Sequence, residues 1–98
     1  MRVVHKYPLK FIFGPQILSL PKYSSTLGAG VQAGGIVLWI EQELDAPVLE
    51  HRPYYVFTTG EPIDDEGTFL AWVDTVQDDQ FVWHIYEGYG NNLIDDPL

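Results

Sequence analysis

The feature that most constrains the fold is a pair of apolar, tryptophan-bearing runs, residues 67–76 (GTFLAWVDTV) and 80–87 (QFVWHIYE). The acidic segment Gln77-Asp78-Asp79 separates them, and neither run has helical periodicity. Aromatic and β-branched residues favour strands, and a connection of about three to four residues is typical of a β-hairpin. This stretch therefore predicts a hairpin.

The rest of the chain has the pattern of short strands separated by glycine and proline turns. We expect strands over residues 2–7, 16–20, 28–33, 36–42 and 54–59, a two-residue turn at Gly34-Gly35, and loops over 22–26 and 44–53. No segment shows helical periodicity of useful length. The sequence predicts an all-β fold, a small antiparallel sandwich or partly open barrel of six to seven strands.

Length and composition indicate one domain without covalent crosslinks. At 98 residues the chain holds a single core, which we expect over residues 1–87, followed by a flexible acidic C-terminal tail over 88–98. Cysteine is absent, which excludes a disulfide framework and a thiol nucleophile. No apolar run approaches the roughly 18 residues of a membrane span, and the N-terminus lacks a signal-peptide pattern, so no membrane association is expected.

Charge is distributed unevenly along the sequence. Residues 1–40 carry four of the five basic residues and none of the 14 acidic ones, and the net charge is −9. So acidic a chain has too little positive charge to displace counterions from phosphates, which disfavours direct nucleic-acid binding. The acids of the second half have two interpretations: they are solubilising loop and edge residues, or they mimic nucleic-acid phosphates on a binding surface.

Several predicted strands are apolar on both faces. In the last one, alternation places Phe81, Trp83 and Ile85 on one face and Val82, His84 and Tyr86 on the other. One small domain cannot bury both faces of several strands, so we expect a partner protein or a second copy of the chain to cover part of this surface. The candidate partner-binding residues are Asp64, Asp65, Glu66, Asp78, Asp79, Trp39, Trp72 and His84.

His84 has two interpretations. As a general base it would need a carboxylate or nucleophile beside it, and Asp74 on the preceding strand is the candidate cross-strand neighbour. As a structural residue it is one member of an apolar strand, which is the interpretation that its strand-forming neighbours favour. We therefore assign no catalytic residue.

No cofactor or metal site is predicted. His5, His51 and His84 lack the close partner spacing of metal ligands. Residues 28–33 (GAGVQA) formally fit a dinucleotide-binding fingerprint, but Gly34-Gly35 would end any following helix. The sequence also contains no P-loop, H-E-x-x-H or G-x-S-x-G signature.

An alternative site would bind an anionic ligand. In an oligomer, cations repeated around an axis could hold the phosphates of a nucleotide while an aromatic side chain stacks on its base. The candidate anion-binding residues are Arg2, Lys6, Arg52 and Tyr54.

Several short motifs together resemble a family of short, uncharacterised proteins of tailed bacteriophages and prophages. The motifs are His5-Lys6-Tyr7-Pro8-Leu9, Leu20-Pro21-Lys22, Leu38-Trp39, Thr59-Gly60-x-Pro62-Ile63, Gly67-Thr68 and Phe81-Val82-Trp83-His84-Ile85-Tyr86-Glu87. They span residues 3–87 in this order. The resemblance implies a phage origin and action in the host bacterial cytoplasm, without implying an activity.

These observations lead to four hypotheses, of which the last is a hydrolase that uses His84. The first is a non-enzymatic phage-encoded protein that binds a host protein as a counter-defence or regulatory inhibitor. The second is an oligomeric sponge that sequesters a nucleotide signal. The third is a virion or morphogenesis component.

Overall fold

The computed structural model of the protein describes residues 1–45, 48–63 and 69–89. These residues form seven strands, and every strand pair is antiparallel. The strands are β1 (Arg2–Leu9), β2 (Gln16–Pro21), β3 (Ser25–Gln32), β4 (Gly35–Glu43), β5 (Leu49–Thr58), β6 (Phe69–Asp78) and β7 (Phe81–Tyr89).

The strands form two sheets that are not closed into a barrel. The three-stranded sheet has the order β1-β4-β3, and the four-stranded sheet has the order β2-β5-β7-β6. The predicted all-β antiparallel sandwich is therefore confirmed. Within the described residues, no helix has the length and apolar character needed to cross a membrane.

The core lies between the two sheets because each strand turns one row of alternate side chains inward. Ile36, Leu38 and Ile40 line the inner face of β4 and face Tyr54, Val56 and Ile85 of the four-stranded sheet. Leu9, Leu20 and Val76 complete the buried cluster. These apolar contacts position β5 and β7, on which the candidate site is built.

Both hairpin turns lie one or two residues from their predicted positions. Ala33 and Gly34 take positive φ values of 50° and 79°, so the first turn is Ala33-Gly34 and Gly35 already belongs to β4. The second turn is Asp79-Gln80, because Asp78 still pairs with Phe81. Two-residue hairpin turns favour left-handed backbone, which the short side chains of alanine and aspartate tolerate.

Several strands extend beyond their predicted bounds, and β3 begins at Ser25, inside the predicted loop 22–26. β1 continues through Pro8 to Leu9, and Pro8 fits because β1 pairs only with β4 and so has a free edge. β5 begins at Leu49 inside the predicted loop 44–53, and its first half pairs with β2. β7 pairs with β5 only from Tyr54 onward, so the missing N–H of Pro53 interrupts no ladder on that side.

The open side of the sandwich between β3 and β6 is bridged by a side chain. Asp74 Oδ2 accepts a hydrogen bond of 3.0 Å from the backbone N–H of Ala29. Each strand has a register shift at this point, between Thr26 and Gly28 in β3 and between Trp72 and Asp74 in β6. Asp74 thus ties the two sheets together.

Candidate functional site

The buried Glu87 carboxylate organises one end of the sandwich interior. Its Oε1 accepts hydrogen bonds from the Tyr54 hydroxyl at 2.9 Å and the Thr26 hydroxyl at 2.5 Å, and Oε2 accepts one from Tyr89. Burial, and then the proximity of the Glu87 carboxylate, raise the pKa of the Tyr54 hydroxyl above its ordinary range. The same two causes raise the pKa of Tyr89 to about 12.

Arg52 balances the charge of this network. Its guanidinium lies 3.6 Å from Glu87 Oε1, donates to the carbonyl oxygen of Ser24 at 2.9 Å, and is bound by Glu50. Burial opposes the charged form of Arg52, but the Glu50 and Glu87 carboxylates outweigh it and raise the pKa of Arg52. Arg52 and Tyr54 are therefore neighbours, as the anion-binding hypothesis requires, but their partners are the protein's own carboxylates.

The other two predicted anion-binding residues lie on a different surface. Arg2 and Lys6 alternate with the inward-facing residues of β1, which places them on the outer face of the three-stranded sheet. Arg2 pairs with Glu41 at 3.1 Å, and Lys6 donates to Gln32 at 2.9 Å. The four predicted residues thus divide between the sandwich interior and an outer face.

His84 lies on the outer face of the four-stranded sheet between two threonines. Its Nε2 is 2.8 Å from the Thr59 hydroxyl, and its Nδ1 is 3.1 Å from the Thr75 hydroxyl, which also accepts from the Trp72 indole N–H at 3.0 Å. The predicted neighbour Asp74 is wrong: the two-residue turn pairs His84 with Thr75, and Asp74 pairs with Ile85 and bonds to Ala29 instead.

A shallow depression of about 210 Å³ lies beside His84. Phe57 and Tyr86 form part of its wall, with their ring centroids 5.6 Å apart in an edge-to-face arrangement. The turn after β5 contributes Thr59 and Glu61. Trp72 lies near this depression because the Thr75 hydroxyl is hydrogen-bonded to both the Trp72 indole and the His84 ring.

A row of aromatic rings begins on the inner face of β7, at the start of the strand. Phe81 stacks on Trp83 with ring centroids 5.9 Å apart, and Phe11 contacts Trp83 at 4.6 Å. The row continues into the β1–β2 connection, where Phe13 is 91% exposed and Ile12 is also exposed. We call Phe11, Ile12, Phe13, Phe81 and Trp83 the aromatic patch.

A slot of about 130 Å³ opens within the aromatic patch. Its walls are apolar except for Thr58 and Glu61, and the same two residues line the depression beside His84. Glu61 Oε1 accepts from the Thr58 N–H at 3.0 Å and the Thr58 hydroxyl at 3.2 Å, which fixes the carboxylate in the wall.

The remaining predicted partner-binding residues lie in three places. Trp39 pairs with Lys6 on the outer face of the three-stranded sheet, away from Trp72 and His84. Asp78 and Asp79 lie at the β6–β7 turn, next to Phe81. Asp64, Asp65 and Glu66 lie outside the described residues. Of the tail predicted over residues 88–98, Gly88 and Tyr89 belong to β7, and the rest lies outside the described residues.

Sequence reasoning missed Phe11, Ile12, Phe13 and Glu61. The signal available for the first three was an apolar run directly before Gly14-Pro15, at a position where a turn prevents burial in a strand. In the described part of the chain, no group of three histidine, aspartate or glutamate side chains converges to hold a metal ion. The described Glu87 carboxylate and His84 ring instead bind other side chains of the protein.

The fold and site define a small seven-stranded antiparallel sandwich with a solvent-exposed aromatic patch. Residues 1–94 match the family described as a domain of unknown function, DUF7352, and the chain belongs to this family. No curated protein and no solved structure matches the chain significantly.

Proposed function

We propose that this chain is a non-enzymatic binding protein whose aromatic patch docks on another protein. The observation that carries the proposal is the exposure of Phe13, at 91%, beside the contacting rings of Phe11 and Trp83, with which it lines one slot. Aromatic side chains are enriched at protein interfaces and among the few residues that dominate their binding energy, and large contiguous apolar patches are rarely exposed on soluble monomers.

The resemblance to phage and prophage proteins supports a bacterial host protein as the partner. On this proposal the chain acts in the host cytoplasm by occupying a surface of a defence or regulatory factor. Occupation of a surface needs no reacting group. A host factor blocked in this way would lose its activity in proportion to the fraction bound.

The test is a comparison of two exposed phenylalanines. Phe13 lies in the patch, and Phe69, which is 79% exposed, lies at the start of β6. Tagged wild type, Phe13→Ser and Phe69→Ser are used to capture host proteins, with quantification by mass spectrometry. We expect a stoichiometric partner that Phe13→Ser loses by at least about tenfold, because a buried aromatic anchor contributes about 1.4 kcal/mol or more.

The matched control determines the interpretation. Phe69→Ser removes the same ring from an exposed site and should retain the partner. Equal capture by all three proteins would contradict the proposal, and equal loss in both variants would show that general surface hydrophobicity, not the aromatic patch, holds the partner.

A further inference from the structure

We infer that the slot in the aromatic patch receives a lysine or arginine side chain from a basic segment of the partner, an inference that rests on the proposed function. The slot combines aromatic walls from Phe11 and Trp83 with the single carboxylate of Glu61. A lysine or arginine side chain has the complementary structure, an apolar stem that ends in a cation.

Size and chemistry both support this occupant. The slot volume of about 130 Å³ is below the roughly 300–1,000 Å³ of pockets that hold whole small ligands, and so suits one side chain. An alkyl stem would pack on the apolar walls, and the faces of Phe11 and Trp83 would attract its cationic end. A carboxylate carries two acceptor oxygens, and the two described bonds to Glu61 both engage Oε1.

The surrounding charges favour a basic segment over other occupants. Asp78 pairs with Phe81 across the β6–β7 turn and Asp79 lies in that turn, while the cation Lys10 adjoins Phe11 in the sequence. A second copy docking through the same patch would place both sets of these acids in one interface, since a two-fold interface repeats one surface. A net charge of −9 likewise opposes an anionic membrane surface.

The test uses four synthetic peptides that differ at one position. Each places lysine, arginine, norleucine or glutamate between two leucines in the same uncharged sequence, and each is titrated into the ¹⁵N-labelled full chain. We expect the lysine and arginine peptides to shift the Trp83 indole N–H signal with a Kd about fivefold lower than that of the norleucine peptide, the factor for a pair worth about 1 kcal/mol. The glutamate peptide should bind more weakly than the norleucine peptide.

Two variants separate the carboxylate from the apolar walls. Glu61→Gln should abolish the preference for lysine over norleucine while norleucine binding persists. Glu41→Gln removes a carboxylate that pairs with Arg2 on the outer face of the three-stranded sheet, and it should leave the preference unchanged. Equal binding of the lysine and norleucine peptides to wild type, or shifts that do not include Trp83, would overturn the inference.

The outcomes distinguish this inference from the proposed function. If Phe13→Ser abolishes partner capture while the lysine and norleucine peptides bind wild type equally, the patch binds a protein but the slot is not a cation site, and the inference alone is overturned. If Phe13→Ser leaves capture intact, the proposed function fails and the inference fails with it.

Discussion

Glu87 illustrates how a carboxylate is retained inside a small core. Hydroxyl groups of Tyr54 and Thr26 donate to it, and the Arg52 guanidinium lies 3.6 Å away. A buried charge is costly unless it is paired and hydrogen-bonded, and here both conditions are met. The network therefore stabilises the end of the sandwich where β5 and β7 meet.

We predict that Glu87→Gln lowers the free energy of unfolding by about 2–3 kcal/mol. The amide keeps the shape of the side chain but loses the charge-assisted hydrogen bonds, which are worth roughly 1.5–3 kcal/mol, and Arg52 loses one of its two described carboxylate partners. Urea denaturation measures the loss. Glu41→Gln breaks the exposed pair with Arg2 and should cost less than about 1 kcal/mol; equal losses in the two variants would contradict the account.

The tyrosines bound to Glu87 predict a stability loss in alkaline solution. The pKa of Tyr89 is raised from 10.0 to about 12 and that of Tyr54 is also raised, so the native state holds these protons more tightly than the unfolded chain. Their contribution is complete below pH about 10 and is lost as the pH rises through the folded pKa values.

Denaturation midpoints between pH 9 and 12 test this prediction. Tyr89→Phe should flatten the decline, because phenylalanine has no proton to lose, whereas Tyr23→Phe at an exposed position should not. An identical decline in wild type and Tyr89→Phe would contradict the assignment.

At the scale of elements, Gly88 gives β7 its fit against β5. A Cβ at Gly88 would lie 3.0 Å from the Tyr55 ring and 3.2 Å from Pro53, and both residues are buried. At Gly30 the nearest atom, Trp39 Nε1, would be at an ordinary 3.6 Å. Both glycines lie in strands, but an added Cβ would be crowded only at Gly88, so Gly30 is a suitable control position.

We predict that Gly88→Ala destabilises the protein by about 1–3 kcal/mol, because overpacking forces buried side chains to shift. Gly30→Ala should be nearly neutral, since alanine meets no close atom there and restricts the unfolded chain. Thermal unfolding of both variants measures the difference. A Gly88→Ala protein as stable as wild type would show that β5 and β7 have more room than the distances indicate.

The elements that could be predicted are those whose residue types alone favour a strand. Residues 36–42 and 80–87 alternate β-branched and aromatic side chains, and both form strands. The first half of β5 was missed because Glu50, Arg52 and Pro53 are typical of loops. Arg52 lies in the strand beside partners that are distant in sequence, Glu87 and the carbonyl oxygen of Ser24, and such pairing is not visible locally.

At the scale of the whole molecule, the sequence indicated excess apolar surface but not its position. Which apolar residues remain outside the core depends on how the sheets pack, and packing leaves Phe13 exposed while Leu9, a few residues earlier, is buried. Likewise, Trp72 and His84 were predicted as site residues and lie together, whereas Trp39 lies on the other sheet. Tertiary packing, rather than local pattern, determined these differences.

The most direct test of the central claim, that the aromatic patch is the docking surface, is photocrosslinking at single positions. The photoreactive residue p-benzoylphenylalanine replaces Phe13 in one protein and Phe69 in another, each expressed in a bacterial host and irradiated. The account predicts one defined adduct through position 13 and none through position 69. Adducts of equal yield at both positions, or an adduct only through position 69, would contradict it.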